Sequence, residues 1–342
     1  MRTALAVVLI ACSTASAQTG SLVAWGDNYY NQLAVPAGEF RAVASGFGHS
    51  VAIRTDGTLA GWGNNNVGQT TVPEGQFIAV AAGGEHVLGY SLGLRADGTL
   101  AGWGHNAGGQ TDVPEGSFIA IAAGREHGAA IRTDGTLAAW GSNGYGQLTP
   151  PAGHFVALAC GYHNTIALRA DGTLAAWGRN DFGQCDVPTG MFIAVTAHRH
   201  FGIATKPDGT LVGWGLNDSG QIDLPEGSFR SVLASKDYVL GLRPDGQIVH
   251  WGAGLASVAA VPQRRFSAIG PGATHGVAIQ ACYGNCDLSS EPPVLNVADF
   301  VCFLNSYAAG SHLANCDGSQ TPPVLNVTDF ICFANAYAVG CP

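Results

Sequence analysis

The sequence predicts an all-β fold, a seven-bladed β-propeller, followed by a small cysteine-rich α-helical module. Three observations carry that expectation. Trp-Gly pairs stand at Trp25, Trp62, Trp103, Trp140, Trp177, Trp214 and Trp251, with five of the six steps 37 residues long and the second 41. Phe40, Phe77, Phe118, Phe155, Phe192, Phe229 and Phe266 keep the same rhythm. Asp-Gly recurs at Asp56, Asp97, Asp134, Asp171, Asp208 and Asp245. That dipeptide is the strongest short signal for a two-residue hairpin whose central residues both take positive φ.

Taken in order, the chain opens on an export signal over residues 1–17. Arg2 supplies a positive start, Ala4 to Ala11 an apolar run, and Ala15-Ser16-Ala17 a cleavage site. Leu9-Ile10-Ala11-Cys12 also fits a lipobox, which would anchor the chain through Cys12 instead. Either way the expected location is extracellular or at the cell surface, the periplasm included. No later stretch reaches the ~18 apolar residues of a membrane helix, so no membrane span is expected.

Residues 18–280 form the propeller. Each unit reads as four short strands, as in 118–123, 128–132, 136–140 and a fourth near Gln147-Leu148. Counting back one period from Asp56-Gly57 lands on Thr19-Gly20, so the chain begins inside a turn. Its first strand, Leu22 to Trp25, then finds its partners in Phe266 to Gln280. One blade is completed by both termini, which closes the ring and removes the sheet edges.

Composition excludes some functions. Charged residues make up 11% of the chain and the net charge is −9, which disfavours nucleic acid. No phosphate-cradling glycine loop, His-Glu-x-x-His or nucleophile elbow is present, so a non-enzyme is expected. Cys160 and Cys185 fall on the first and fourth strands of one blade, too far apart to bridge, and are expected to be free and inert.

Residues 124–147, GREHGAAIRTDGTLAAWGSNGYGQ, show the full repeat. This motif resembles the repeats of the regulator of chromosome condensation family over residues 21–280. The resemblance implies a seven-bladed propeller. The family's nuclear exchange-factor activity does not carry over to an acidic chain with an export signal. The 37-residue length and Val-Pro ending look closer to a secreted bacterial branch, which includes propeller-type β-lactamase inhibitors.

Within the repeat, the tryptophans are read as packing between blades. Gln32, Gln69, Gln110, Gln147, Gln184 and Gln221 are read as hydrogen-bonding staples of a loop, with Val258 replacing glutamine in the seventh unit. His49, His86, His127 and His275 are assigned one repeat position, which Asn164, Phe201 and Tyr238 occupy elsewhere. A ring of metal ligands would have gaps there, so the position is structural. His198 and His200, flanking Arg199, are taken as an exposed surface pair.

Strands alternate in direction, so the loops joining strands one to two and three to four emerge at the same end. Those loops vary, and they supply the expected partner-binding face: Asp27, Tyr29, Tyr30, Phe47, Glu85, His105, Arg125, Glu126, Tyr145, Tyr162, His163, Arg179, Phe182, Arg199 and Tyr238. Aromatic and Arg residues of this kind dominate protein interfaces. The connections at the other end barely change between units.

Residues 281–342 carry a second repeat, 285–310 and 315–340, each a loop followed by an amphipathic helix. Asn-x-Asp and Asn-x-x-Asp-Phe before a helix resemble the duplicated calcium loop of type I dockerins. The resemblance implies Ca2+ held by Asn285, Asp287, Asn296 and Asp299, and by Asn315, Asp317, Asn326 and Asp329. It also implies a cohesin-like or cell-surface partner. About five extra residues interrupt each loop, and Asn296 and Asn326 serve equally as helix N-caps with Asp299 and Asp329 three residues on. Repeat symmetry suggests Cys286–Cys302, Cys316–Cys332 and Cys282–Cys341 among the 15 pairings six cysteines allow. The expected function is recognition of a protein partner outside the cytoplasm by a monomer. An inhibitor of a secreted enzyme such as a β-lactamase, or a glycan-binding propeller, is the alternative.

Overall fold

The computed structural model describes residues 20–253, 261–262 and 264–281. The export signal, Val258 and the whole C-terminal module, with its calcium and disulfide assignments, lie outside the described residues. No helix among the described residues is long and apolar enough to cross a membrane.

Seven three-stranded antiparallel sheets make up the described chain. The first six are β2–β3–β4 (Phe40–Ser45, His49–Arg54, Leu59–Gly63), β5–β6–β7 (Phe77–Glu85, Leu88–Arg95, Leu100–Gly104) and β8–β9–β10 (Phe118–Ala123, His127–Arg132, Leu137–Gly141), then β11–β12–β13 (Phe155–Cys160, Asn164–Arg169, Leu174–Gly178), β14–β15–β16 (Ala194–His198, Phe201–Thr205, Leu211–Gly215) and β17–β18–β19 (Ser231–Ala234, Tyr238–Leu242, Ile248–Gly252). The seventh joins both ends: β1 (Leu22–Gly26) pairs with β21 (His275–Gln280), which pairs with β20 (Phe266–Pro271). Leu22 sits opposite Ile279, as the count of turns requires.

The core is distributed between blades. Seven apolar clusters fill the seven interfaces, each built like that of Tyr90, Leu92 and Leu94 on β6 against Phe118 and Ile121 on β8 and Trp140 on β10. The repeated Phe is buried in every unit, each worth roughly 1.5–3 kcal/mol of transfer free energy.

Two local expectations are corrected. Blades have three strands, because the segment near Gln147-Leu148 is a turn. Gln147 Oε1 accepts the Tyr145 N–H at 2.7 Å and Asn143 Oδ1 accepts the Leu148 N–H at 2.9 Å. The Gln147 carbonyl accepts the Trp177 indole N–H of the next blade at 2.8 Å, which leaves little backbone for a ladder. The same donor–acceptor pair recurs from Trp62 to Gln32, Trp103 to Gln69, Trp140 to Gln110, Trp214 to Gln184 and Trp251 to Gln221.

The Asp-Gly turns are three-residue loops, not two-residue ones. The Gly135 N–H donates to Arg132 O at 2.9 Å and the Arg132 N–H to Thr136 O at 2.8 Å, a tight turn followed by a glycine bulge. Gly135 alone takes positive φ, at 86°, while Asp134 does not. The Asp134 carboxylate instead accepts the Thr136 hydroxyl at 2.7 Å and its N–H at 2.9 Å, and these bonds lower its pKa.

The histidine position is structural, with one change of register. β6 begins so that Tyr90, not His86, faces the third strand as His49 does in the first blade. The four extra residues displace His86 into the hairpin tip, where it has φ of 51°. Each of the three histidines at this position reaches the next blade. His49 meets Ser91 at 3.1 Å, His127 meets Thr165 at 2.9 Å and His275 meets Ser50 at 2.8 Å. Burial pushes His49 to a pKa of about 4 and His127 and His275 to about 3, so all three are neutral. A Cβ on Gly124 would stand 2.4 Å from the His127 ring, which explains the glycine three residues earlier.

Candidate interaction surface

The two sets of variable loops are tied together at one end of the ring. The Ser142 N–H donates to Glu126 O at 2.8 Å, Arg179 N–H to His163 O at 2.9 Å and Leu216 N–H to His200 O at 2.9 Å. The first strands line the axis, enclosing a cavity of about 150 Å3 walled by small residues such as Ala82, Ala123 and Ala159.

Charged side chains at the rim of that cavity are paired. Arg125 bonds Glu85 at 2.8 Å, and Arg199 on blade five bonds Asp237 on blade six. The Tyr162 hydroxyl reaches Glu85 at 3.5 Å, and the Lys236 ammonium lies 6.0 Å from the Phe47 ring. Phe47 packs on His86 at 4.7 Å. These contacts tie blades one to six across the axis and leave few charges free.

Outside the rim a row of rings crosses blades three to five. Tyr145 lies 4.9 Å from His163, and the Arg179 guanidinium stands 4.9 Å from Tyr145 and 5.8 Å from Phe182. Phe182 stacks on His200 at 4.7 Å. Arg179 Nε is held by Asp181 at 2.6 Å, which fixes the guanidinium plane between the two rings. Tyr145 is 48% and Phe182 43% exposed, although both lie in an ordered stack. A second pair, Tyr29 and Tyr30, packs edge to face at 4.7 Å on the seventh blade, with Tyr29 80% exposed and Tyr30 half-buried.

The structure therefore sorts the fifteen predicted face residues. Tyr29, Tyr145 and Phe182 are presented to solvent, with the half-buried Arg179 and Tyr30 beside them. Phe47, Glu85, Arg125, Glu126 and Arg199 form or border the rim. Asp27 and His105 hold their own loops through Gln32 at 3.3 Å and Gln110 at 2.8 Å. Tyr238 is a correction: it is 1% exposed, occupies the histidine position and donates its hydroxyl to His275 O at 2.9 Å. Tyr162 and His163 are likewise buried beneath the rings around them.

His198 and His200 are not the exposed pair expected. Both are half-buried; His198 packs on Tyr162 at 5.2 Å, and His200 completes the aromatic row. Burial, then neighbouring cations, lowers His198 to about 3 and His200 to about 4. Repeat register could have found His200, because it precedes Phe201 as Glu126 precedes His127 and His163 precedes Asn164. Cys160 and Cys185 are free, Cys185 in a loop and not on a fourth strand. Burial raises their pKa values to about 12 and about 11. Among the described residues no three His, Cys, Asp or Glu side chains are placed to hold a metal ion.

The regulator of chromosome condensation (RCC1) repeat matches residues 40–69, 118–147 and 155–184. No curated protein matches the chain. Prp20p from Saccharomyces cerevisiae is similar in structure, with a TM-score of 0.66 and 17% identity over 79% of this chain and 92% of that one. A second structure of it, yeast RCC1 (Prp20) bound by Kap60, gives 0.67 and 16% over 82% and 94%. The ectodomain of the Physcomitrella patens receptor kinase CR4 gives 0.58 and 21% over 67% and 68%. The chain thus carries RCC1-like repeats folded into a propeller that matches yeast RCC1 (Prp20).

Proposed function

We propose that this chain is an exported protein-recognition module, not an enzyme, which binds its partner through the row Tyr145, Arg179, Phe182 and His200. Residues 281–342 act as the attachment module. The observation that carries the reading is the state of the row. Two aromatic rings remain close to half exposed while a guanidinium, itself held by Asp181, fixes their spacing. Rigid aromatic area of this kind binds a partner at low entropic cost, and Arg and Tyr dominate interface energetics.

The neighbours support a protein partner. The structure of Prp20p was described together with its binding properties to Gsp1p and histones, and the second with bound Kap60. The acidic composition and export signal favour an extracellular or envelope partner over a nuclear one.

The test uses immobilised residues 18–280 and a variant with Tyr29, Tyr30, Tyr145 and Phe182 changed to Ala, both exposed to native extracellular and envelope fractions. A protein retained by the first and lost from the second is the expected result. Equal capture by both, or by neither, overturns the assignment of this face. Retention of a hydrolytic enzyme whose activity falls on binding would favour the inhibitor class, and retention of polysaccharide the glycan-binding one.

A further inference from the structure

At the opposite end of the ring the Asp-Gly turns repeat almost unchanged, while the positions flanking each repeat Phe depart from the pattern. In blades one to four and seven the residue after the repeat Phe falls on a bulge, where pairing shifts register, as between Phe77 and Ala79, Phe118 and Ala120, and Phe155 and Ala157. Over blades two to five that residue is Ile78, Ile119, Val156 and Ile193. Ile78, Ile119 and Ile193 are 41%, 54% and 44% exposed, and Met191, against the Gly172 turn, is 65% exposed. The flanking blades one and six carry Arg41 and Arg230 at the same position. Arg41 Nη2 donates to Phe77 O at 2.7 Å, which seats its guanidinium beside Ile78.

Single exposed apolar residues need no explanation, but Ile78, Ile119, Met191 and Ile193 together form a crescent on blades two, three and five, with the half-buried Val156 of blade four between them. Turn geometry does not account for it, since the bulge is also formed with Arg41 in the first blade. The surface is independent of the recognition row, which lies at the other end of the strands.

We propose that this crescent is the docking site of the chain's own C-terminal segment, residues 282–342. The chain leaves the propeller at this end. Ala281 is buried and donates its N–H to Arg265 O at 3.0 Å, and Arg265 precedes the repeat Phe of the seventh blade. About a dozen extended residues cover ~40 Å, so the segment is long enough to reach every blade. Its chemistry is complementary. It repeats an apolar run, Phe300 to Leu304 and Phe330 to Phe333, and contains Asp287, Glu291, Asp299, Asp317 and Asp329 with no Lys or Arg. Apolar runs match the crescent, and a purely acidic charge set matches its two arginine ends.

The experiment compares the full chain with one stopped at Ala281, each with and without Ile119→Lys and Ile193→Lys. Stopping at Ala281 leaves all seven blade interfaces intact. The probe is anilinonaphthalene sulfonate, a dye that brightens on exposed apolar surface. Stopping at Ala281 is expected to raise its fluorescence at least threefold, and the double substitution to cancel that rise. In the full chain the same substitutions are expected to speed chymotryptic cleavage within 282–342 at least tenfold. If the lysine pair impairs folding, judged by circular dichroism, Ile119→Ser with Ile193→Ser replaces it. Unchanged dye binding on truncation, or unchanged cleavage, overturns the proposal. So does a dimer in sedimentation that the substitutions disperse and truncation does not, which would make a second copy the occupant.

Discussion

The two ends of this ring are made from the same strands, yet they use their side chains differently. At the Asp-Gly end nearly every repeated residue is consumed locally. Asp134 is bonded by Thr136, Gly135 supplies the positive φ, and Arg132 lies 5.2 Å from the Phe118 ring. At the other end the loops are held by buried Gln and exposed Asn side chains, and the residues between them are released from structural duty. Tyr145 and Phe182 sit on loops whose geometry Gln147 and Gln184 already fix. Repetition thus marks where the fold is specified, and its interruption marks surface available for other work. The Ile78–Ile193 crescent follows the same rule, since it falls where the residue after the repeat Phe varies between Arg, Ile, Val and Ser and the residue before it varies as well.

The sharpest way to break this comparison is to remove the same residue type from each end. Phe118→Ala should cost about 3–5 kcal/mol in denaturant unfolding, because the ring is buried between blades. Phe182→Ala should leave stability within about 0.5 kcal/mol while weakening partner capture. Equal losses from the two would mean that the exposed row is structural.

Acid should act on the staples next. His49, His127 and His275 have folded pKa values depressed below the unfolded value near 6.5. The unfolded chain therefore binds more protons between about pH 6.5 and 4. Their contribution is complete above about pH 6.5 and is lost as pH falls, by up to about 1.4 kcal/mol per pH unit for each histidine. Thermal melts of His127→Gln and the parent chain between pH 7 and 4 should converge; parallel curves would exclude this origin.

Gln147→Leu should cost about 1–3 kcal/mol, because the Tyr145 N–H loses its acceptor in a part-buried site. A comparable loss of capture would show that the staple positions the row. The smallest effect expected is at sulfur. With thiol pKa values raised by burial, Cys160 and Cys185 should resist iodoacetamide at pH 8 until the chain is unfolded. Fast labelling of Cys185 in the folded protein would place its loop in a more open state.

Much of this architecture was legible in the sequence because it repeats. The Trp and Phe periods placed seven blades, and the missing seventh Asp-Gly placed both termini in one sheet. What failed did so for local reasons. A fourth strand was expected where Gln and Asn side chains satisfy the backbone instead. Counting reveals the four-residue insertion but not its place, so it puts His86 at the stapling position until strand pairing sets Tyr90 opposite Gly104. Tyr238 looked like surface because aromatic residues serve at interfaces and in cores alike, and only its place in the repeat distinguishes the two. His200 was missed for the converse reason: it was judged by its neighbours and not by its register.

The sheet made from β20, β21 and β1 has a consequence for how the molecule is born. Val23 pairs with Ala278, a separation of most of the chain, so the last blade stays incomplete until synthesis has passed residue 278. Blades one to six are each contiguous and can form in order, whereas the ring locks only when its two ends find each other. A permutant cut between two contiguous blades, with the present ends joined, would turn that final long-range search into a local hairpin and move the seam elsewhere.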